Sequence, residues 1–362
     1  MDRPAPIGGD FALEAGLLAP DGALRPPGPA PWRGRGHGLL LSSGRGAIGH
    51  ALDLLARRGL SGRVWLPAYA CPSVAAPFRA RGFELRRYGQ GPGLDRPRGL
   101  PRRLERGDVL LLIHYFGRLN RALLDYAGRQ AERAWVIEDC VQGCLARGLG
   151  RQGDFAVHGL RKWLPVPDGA LLCSPRPLGP PPAPPREELA SRQLLARWLR
   201  AADPDAARAL ALEAEGLLEE DPLPRRASWA TAWLLRRLDL QGFRRRRRVN
   251  WRRLDARLRE RLTKGPATPL HPLHPDLGPG EVPLGYPVVL AEPDLREALR
   301  RALAAERIWC PVHWELEPEA RAFEADWSLS RRILTLPVDQ RLGAAEVDRL
   351  AARVAHHLER LR

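Results

Sequence analysis

Lysine is nearly missing from this chain of 362 residues: Lys162 and Lys264 are the only two among 58 lysines and arginines. Cysteine is scarce as well. Five residues, at 71, 140, 144, 173 and 310, make an odd, scattered set, which argues against a disulfide framework and fits a reducing compartment. Cys140 and Cys144 stand four apart without a second pair or a histidine cluster, so no metal site is expected. No apolar run reaches the ~18 residues of a membrane span. The opening MDRPAPIGGDFALE lacks a basic flank leading into an apolar stretch, so the expectation is a cytoplasmic protein without a membrane partner.

What is present is arginine. The formal charge of +16 would suit a nucleic-acid binder. The arginines are spread along a chain rich in Ala, Gly, Pro and Leu, however, and read as coding bias, so no nucleic-acid partner is expected. The run Arg244–Arg248 sits in a helical pattern with apolar residues at Leu238, Leu240, Phe243, Val249, Leu254 and Leu258, which predicts a solvated arginine face. Trp198 and Trp233 in the same helical region read as helix core. Turned round, the lysine deficit points at Lys162. Arginine replaces lysine for charge, but its guanidinium cannot form an imine with an aldehyde, whereas a lysine amine can.

Apolar runs at Leu39–Leu41, Val64–Pro67, Phe83–Tyr88, Val109–Tyr115, Trp135–Asp139 and Ala170–Cys173 read as strands. Helical patterns fall at about 44–55, 72–81 and 120–133. The alternation predicts a mostly parallel sheet covered on both faces. A Pro-rich loop (175–186) interrupts it, and helical segments fill about 187–262. A smaller αβ segment follows, with strands at Val282–Leu290, near 307–312 and at 333–336, and helices at 293–306 and 344–361. The predicted division is a large domain, 1–245, with an N-terminal arm (1–37), and a small C-terminal domain, 246–362.

Asp139 ends the strand AWVIED, at the edge where ligands bind in parallel sheets. Gln142 follows it, and Lys162 comes 23 residues after Asp139. Ser43-Gly44-Arg45-Gly46 lies between a strand and a helix, where backbone N–H groups can meet an anion. The segments SSGRGAIGHAL, WLPAYACPSV, LLIHYFGRL, VIEDCVQG, GDFAVHGLRKWLPVPDGALL and ILTLPVDQRLGAAEVDRL occur in that order over about residues 35 to 355. In this the chain resembles the DegT/DnrJ/StrS-type sugar aminotransferases, within the fold-type I enzymes that use pyridoxal 5'-phosphate (PLP).

The resemblance implies an α/β fold: a large domain with a mostly parallel, seven-stranded sheet between helices, plus a smaller α/β domain. It implies PLP held as a Schiff base by Lys162, the catalytic residue. Asp139 would face the pyridine nitrogen, Gln142 the phenolic oxygen, and Gly44, Arg45 and Gly46 the phosphate. His313 would lie on the substrate side. His114, in an apolar strand, reads equally as a hydrogen-bonded core histidine or as a second residue on the substrate side. The partners implied are a small-molecule amino donor, glutamate or glutamine, a nucleotide-linked keto-sugar acceptor, and a second copy in a homodimer. Two departures stand out. Cys71 occupies the position where relatives often stack an aromatic on the ring, with Tyr69 or His114 as substitutes. Val157 stands where relatives often carry a phosphate-contacting serine. Rival readings are another PLP reaction, of the class V lyase or desulfurase type, and a non-catalytic scaffold or sensor.

Overall fold

A computed structural model of the chain describes residues 5–13, 36–181, 183–200, 202–219, 223–262 and 269–361; Lys264 lies outside them. After a two-residue strand, β1 (Ile7–Gly8), come β2 (His37–Leu41), β3 (Arg63–Pro67), β4 (Glu84–Tyr88), β5 (Val109–Ile113), β6 (Trp135–Asp139), β7 (Phe155–Gly159) and β8 (Ala170–Ser174). The last seven form one sheet in the order β2-β8-β7-β6-β5-β3-β4. All neighbours run parallel except β8, which is antiparallel to both β7 and β2. The carboxyl ends of β2, β3, β5, β6 and β7 therefore share one edge.

The middle strand β5 reads VLLLI and is buried along its length, as a strand covered on both faces must be. Its side chains alternate between two cores. Val109, Leu111 and Ile113 join the cluster containing Ile48 and Leu52 of the helix Gly44–Ala56. Leu110 and Leu112 join Leu123 and Leu124 of the helix Arg121–Gln130. The strand β7 is not predicted from the sequence. It is only FAVHG, set between a Gly-rich loop and the Lys162 segment, and carries no long apolar run.

The second sheet contains β9 (Leu270–Pro272), β10 (Tyr286–Leu290) and β12 (Ile333–Leu336), antiparallel in the order β12-β10-β9. It shares a core with the helices Leu240–Arg261, Pro293–Ala305 and Ala344–Arg360. The boundary expected at 246 falls inside the continuous helix Leu240–Arg261. The arm also differs from expectation. β1 pairs in parallel with β11 (Ile308–Trp309), and Ile7 is buried in the C-terminal core rather than against the large sheet. A two-residue strand otherwise unpaired among the described residues accepts a neighbour readily.

Residues 187–262 form four helices, Glu187–Leu199, Pro204–Glu219, Trp229–Leu235 and Leu240–Arg261. Two expectations fail here. Trp198 and Trp233 are not core residues but 51% and 37% exposed. Arg244 and Arg247 are buried, whereas Arg245 and Arg246 are the solvated members of the run. Among the described residues no helix is long and apolar enough to cross a membrane.

The edge loops are braced from beneath by Glu138, which is fully buried. Its carboxylate accepts hydrogen bonds from His114 Nε2 (2.8 Å) and the backbone N–H groups of Gly150 (2.9 Å), Gln152 (2.6 Å) and Gly153 (2.6 Å). Burial alone would raise this carboxyl, but the His114 hydrogen bond and the two N–H groups outweigh it and bring it down to about 2. A depressed carboxyl stabilises the fold above its unfolded value of ~4.3. Its contribution is lost as pH falls from there towards 2. Replacing Glu138 by Ala should cost about 3–5 kcal/mol in urea denaturation at pH 7, because four donors lose a buried charged acceptor. A cost below about 1 kcal/mol would mean that the loop 150–153 repacks around water.

Candidate active site

Three loops meet at the carboxyl edge of the large sheet. The first follows β2 and opens the helix Gly44–Ala56, capped by Ser43, whose Oγ accepts the Gly46 N–H at 3.0 Å. The second follows β6 and carries Asp139 and Gln142. The third follows β7 and carries Lys162. A Cβ on Gly44 would lie 3.8 Å from Val141 Cγ2 and 3.9 Å from Val157 Cγ1, so the glycine turn packs on the other two. The Trp163 indole N–H donates to the Val141 carbonyl at 2.8 Å, and Gln340 Nε2 donates to the Trp163 carbonyl at 2.7 Å. The loop of Lys162 is thus tied to the loop of Asp139 on one side and to the C-terminal region on the other.

Asp139 is buried, and its carboxylate accepts the Val141 N–H at 2.8 Å. Among the described residues no cation comes within ion-pair distance of it. Burial raises its pKa, while the Val141 N–H and the charge of Lys162 pull the other way. Gln142 accepts the Phe116 N–H through Oε1 at 2.9 Å. Its Nε2 is sealed from solvent and has no hydrogen-bond partner among the described residues. An orphaned buried donor of this kind marks a place where a ligand acceptor belongs. Lys162 keeps an exposed side chain, its Nζ 5.7 Å from the centre of the Trp314 ring.

The glycine turn is narrower as an anion cradle than its sequence suggests, since the Ser43 cap already takes the Gly46 N–H. Positive charge is supplied instead by side chains. Arg45 and Arg161 both face Glu215, at 3.9 Å and 2.6 Å. At the end of β3, Cys71 is half-buried with its Sγ 3.1 Å from Ser73 Oγ. Its proposed substitute Tyr69 is fully buried, and its hydroxyl donates to the His313 carbonyl. Of these residues at the strand end, Cys71 alone keeps surface open to a ligand.

The expectation that His114 faces substrate, or stacks on a cofactor ring, is corrected. Residues 109–114 alternate, so His114 points to the face of Leu110 and Leu112, opposite Asp139. There it is fully buried, with Nε2 on Glu138 and Nδ1 accepting the Asn120 N–H at 3.3 Å. His114, Glu138 and Cys140 hold ligand-type atoms within 4.8 Å of one another, but four donors already occupy the Glu138 oxygens. His313 does reach the site. Its Nδ1 lies 2.9 Å from Thr335 Oγ1, and its ring sits edge-on to Phe116 and Trp314. Sequence reasoning missed Trp163, Trp314 and Gln340, because each acts across a long separation that local patterning does not show.

No protein-family model matches the sequence, and neither does any curated protein sequence. Solved structures do match. TlmJ, an aminotransferase from Streptoalloteichus hindustanus, superposes with a TM-score of 0.62 at 21% identity over 90% of this chain and 86% of that one. The PLP form of Spr1654, a putative sugar aminotransferase from Streptococcus pneumoniae, gives 0.62 at 14% identity over 98% and 94%. A DegT DnrJ EryC1 StrS aminotransferase from Brucella abortus gives 0.59 at 16% identity over 89% and 86%. The chain has the aminotransferase fold.

Burial, aided by the charge of Lys162, pushes the His313 imidazole down to about 3. Its ring is therefore neutral at physiological pH. In the histidine-labelled protein, the NMR signals of His313 should stay those of a neutral ring from pH 8 to pH 5. Titration with a midpoint near the ordinary value of ~6.5 would show that water solvates the ring.

Proposed function

We propose that this protein is a PLP-dependent aminotransferase that moves an amino group from glutamate or glutamine to the keto or aldehyde carbon of a nucleotide-linked sugar. The observation that carries the reading is the Gln142 Nε2: buried, without a hydrogen-bond partner among the described residues, and three residues from a buried carboxylate that has no ion pair among them. The donor set fits the cofactor. A protonated ring nitrogen would supply the charge that Asp139 lacks, and a phenolic oxygen would accept from Gln142. The first turn of the helix Gly44–Ala56, with Arg45 and Arg161 beside it, would hold the phosphate. Cys71 would lie against the ring. The name of one similar structure, the PLP form of a putative sugar aminotransferase, supports the same choice.

When bound, PLP supplies an aldehyde for an amine and a ring that withdraws electrons from the bonds around the amino carbon. The residues of this chain do the rest. Lys162 Nζ takes and returns the proton at that carbon, because it is the amine on the exposed side of the site. The Asp139 carboxylate would face the ring nitrogen, and its charge would favour the protonated form. The neutral His313 lies near Lys162 without competing for its charge. Trp314 and Phe116 keep water from that side of the lysine.

A second copy of the chain completes the reading. Trp229 is 74% exposed, Leu212 62% and Trp198 51%, on three helices of the 187–235 region. Apolar side chains exposed so far, on neighbouring helices, suit a partner surface. Light scattering should give twice the mass of the chain; a fully active monomer would remove this part of the proposal.

Lys162→Arg tests the chemistry. The variant keeps the charge in a chain that otherwise uses arginine almost throughout, so its melting curve should match wild type within about 0.5 kcal/mol. Transamination should fall about a thousandfold or more, which is about 4 kcal/mol of barrier. Borohydride treatment of the wild-type protein with PLP should mark the Lys162 peptide alone. An active Lys162→Arg enzyme would refute the mechanism.

A further inference from the structure

A cavity of about 380 Å³ is lined by Lys162 and does not include Asp139 in its wall. Its walls come from the arm strand at Gly8–Phe11, the residues after β11 and β12, and the helix Leu240–Arg261. Most charges in these walls are matched within the chain. Arg161 pairs with Glu215 at 2.6 Å, Arg300 with Glu297 at 2.6 Å, Arg341 with Asp339 at 2.8 Å, and Asp10 with Arg200 at 3.6 Å. Two cations lining the cavity, Lys162 and Arg247, have no carboxylate within ion-pair distance among the described residues.

Arg247 is the unusual one. It is only 1% exposed, yet it carries a full charge. Its Nε donates to Gln340 Oε1 at 2.7 Å, and Nη1 donates to the carbonyls of Pro283 (3.2 Å) and Leu284 (2.9 Å). Its guanidinium carbon stands 4.5 Å from the Trp163 ring centre. These contacts fix the plane of the group and leave its charge unbalanced, while Nη2 makes no hydrogen bond among the described residues. The nearby acid, Asp339, is taken by both forks of Arg341, at 2.8 and 2.9 Å. Burial lowers the Arg247 pKa to about 10, and the charge of Asp339, already paired with Arg341, opposes this only in part. Such an arrangement is unfavourable unless an anion from outside completes it.

We propose that this cavity binds the carboxylate of the amino-acid donor, with Arg247 as the anchor and the amino end of the donor directed at Lys162. Only the Lys162 end rests on the aminotransferase reading; the anion site stands on the charge pattern. A carboxylate fits better than a diphosphate for two reasons. One guanidinium edge matches one carboxylate, whereas the Asp10 and Asp339 carboxylates in the same wall would repel a group of higher charge. The volume also lies near the lower end of ligand pockets, which suits an amino acid and not a whole nucleotide sugar.

Glutarate is a suitable probe, since it has the carboxylates of the donor and no amine to react. Calorimetric titration of the full-length protein, with and without PLP, should show saturable glutarate binding. Glutaramide should not bind, and Arg247→Gln should weaken glutarate at least tenfold. Arg253→Gln, on the outer face of the same helix, should leave it unchanged. If Arg247→Gln does not fold, Arg247→Lys and the glutaramide comparison on the wild-type protein decide the matter. Equal glutarate affinity in wild type and Arg247→Gln would overturn the inference. So would binding of UDP, but not glutarate, that depends on Arg247. Formation of the PLP adduct on Lys162 is read separately by absorbance. Its absence beside Arg247-dependent glutarate binding would refute the enzyme reading and leave the anion site standing; the reverse result would refute only the anion site.

Discussion

The hydrogen bond from the Trp163 indole to the Val141 carbonyl is the contact on which the candidate site depends. Lys162 and Asp139 leave the sheet from different strands, and the loops that carry them have no ladder to satisfy their backbone groups. Trp163 joins the two at 2.8 Å while fully buried. Gln340 then takes the Trp163 carbonyl, and Arg247 covers its ring. The side chain next to Lys162 is therefore held by the large sheet, the closing strand segment and the long helix together. Leaving a buried carbonyl unpaired there costs about 1–3 kcal/mol, and the same disturbance would shift Lys162 relative to Asp139.

Glu138 and Asp139 are adjacent carboxylates with opposite situations. Glu138 points to the face of Leu110 and Leu112 and is filled with donors, so its pKa falls. Asp139 points the other way, accepts the Val141 N–H, and is pushed up by burial. One is finished by its own chain; the other waits for a cation. The same contrast separates Arg341, held by Asp339 and the carbonyls of Gly9 and Asp10, from Arg247, which has hydrogen bonds but no carboxylate within ion-pair distance among the described residues. In both pairs one member is ion-paired or filled with donors, and its neighbour is buried without an ion pair among the described residues. A buried ionisable group kept incomplete is a cost that folding alone does not explain.

The strands of the large sheet are legible in the sequence because buried parallel strands are written as short apolar runs, and β6 and β12 fall where those runs predict. The strand β7 is not legible, because FAVHG is neither long nor uniformly apolar. Lys162 stands out through the rarity of its residue type. For His114 the sequence leaves a core and a site reading open, and alternation along Val109–His114, which puts it opposite Asp139, decides for the core. Arg247 was hidden by composition. In a chain so rich in arginine, one buried member of the run Arg244–Arg248 looks like its solvated neighbours. Only the packing of Trp163 and the carbonyls of Pro283 and Leu284 distinguishes it.

The helices between 187 and 219 link the exterior to the site. Leu195 and Trp198 on the first and Leu212 on the second expose 47%, 51% and 62% of their surface. From the second helix Glu215 reaches inward to both Arg45 at the glycine turn and Arg161 beside Lys162. A carboxylate between two arginines beside a helix N-terminus occupies the kind of position a phosphate would seek. Any partner that covers the outer apolar face acts on the helix that carries this carboxylate. Leu212 and Glu215 stand three residues apart and so share one side of that helix, which places its exposed apolar surface next to the carboxylate that pairs with Arg45 and Arg161.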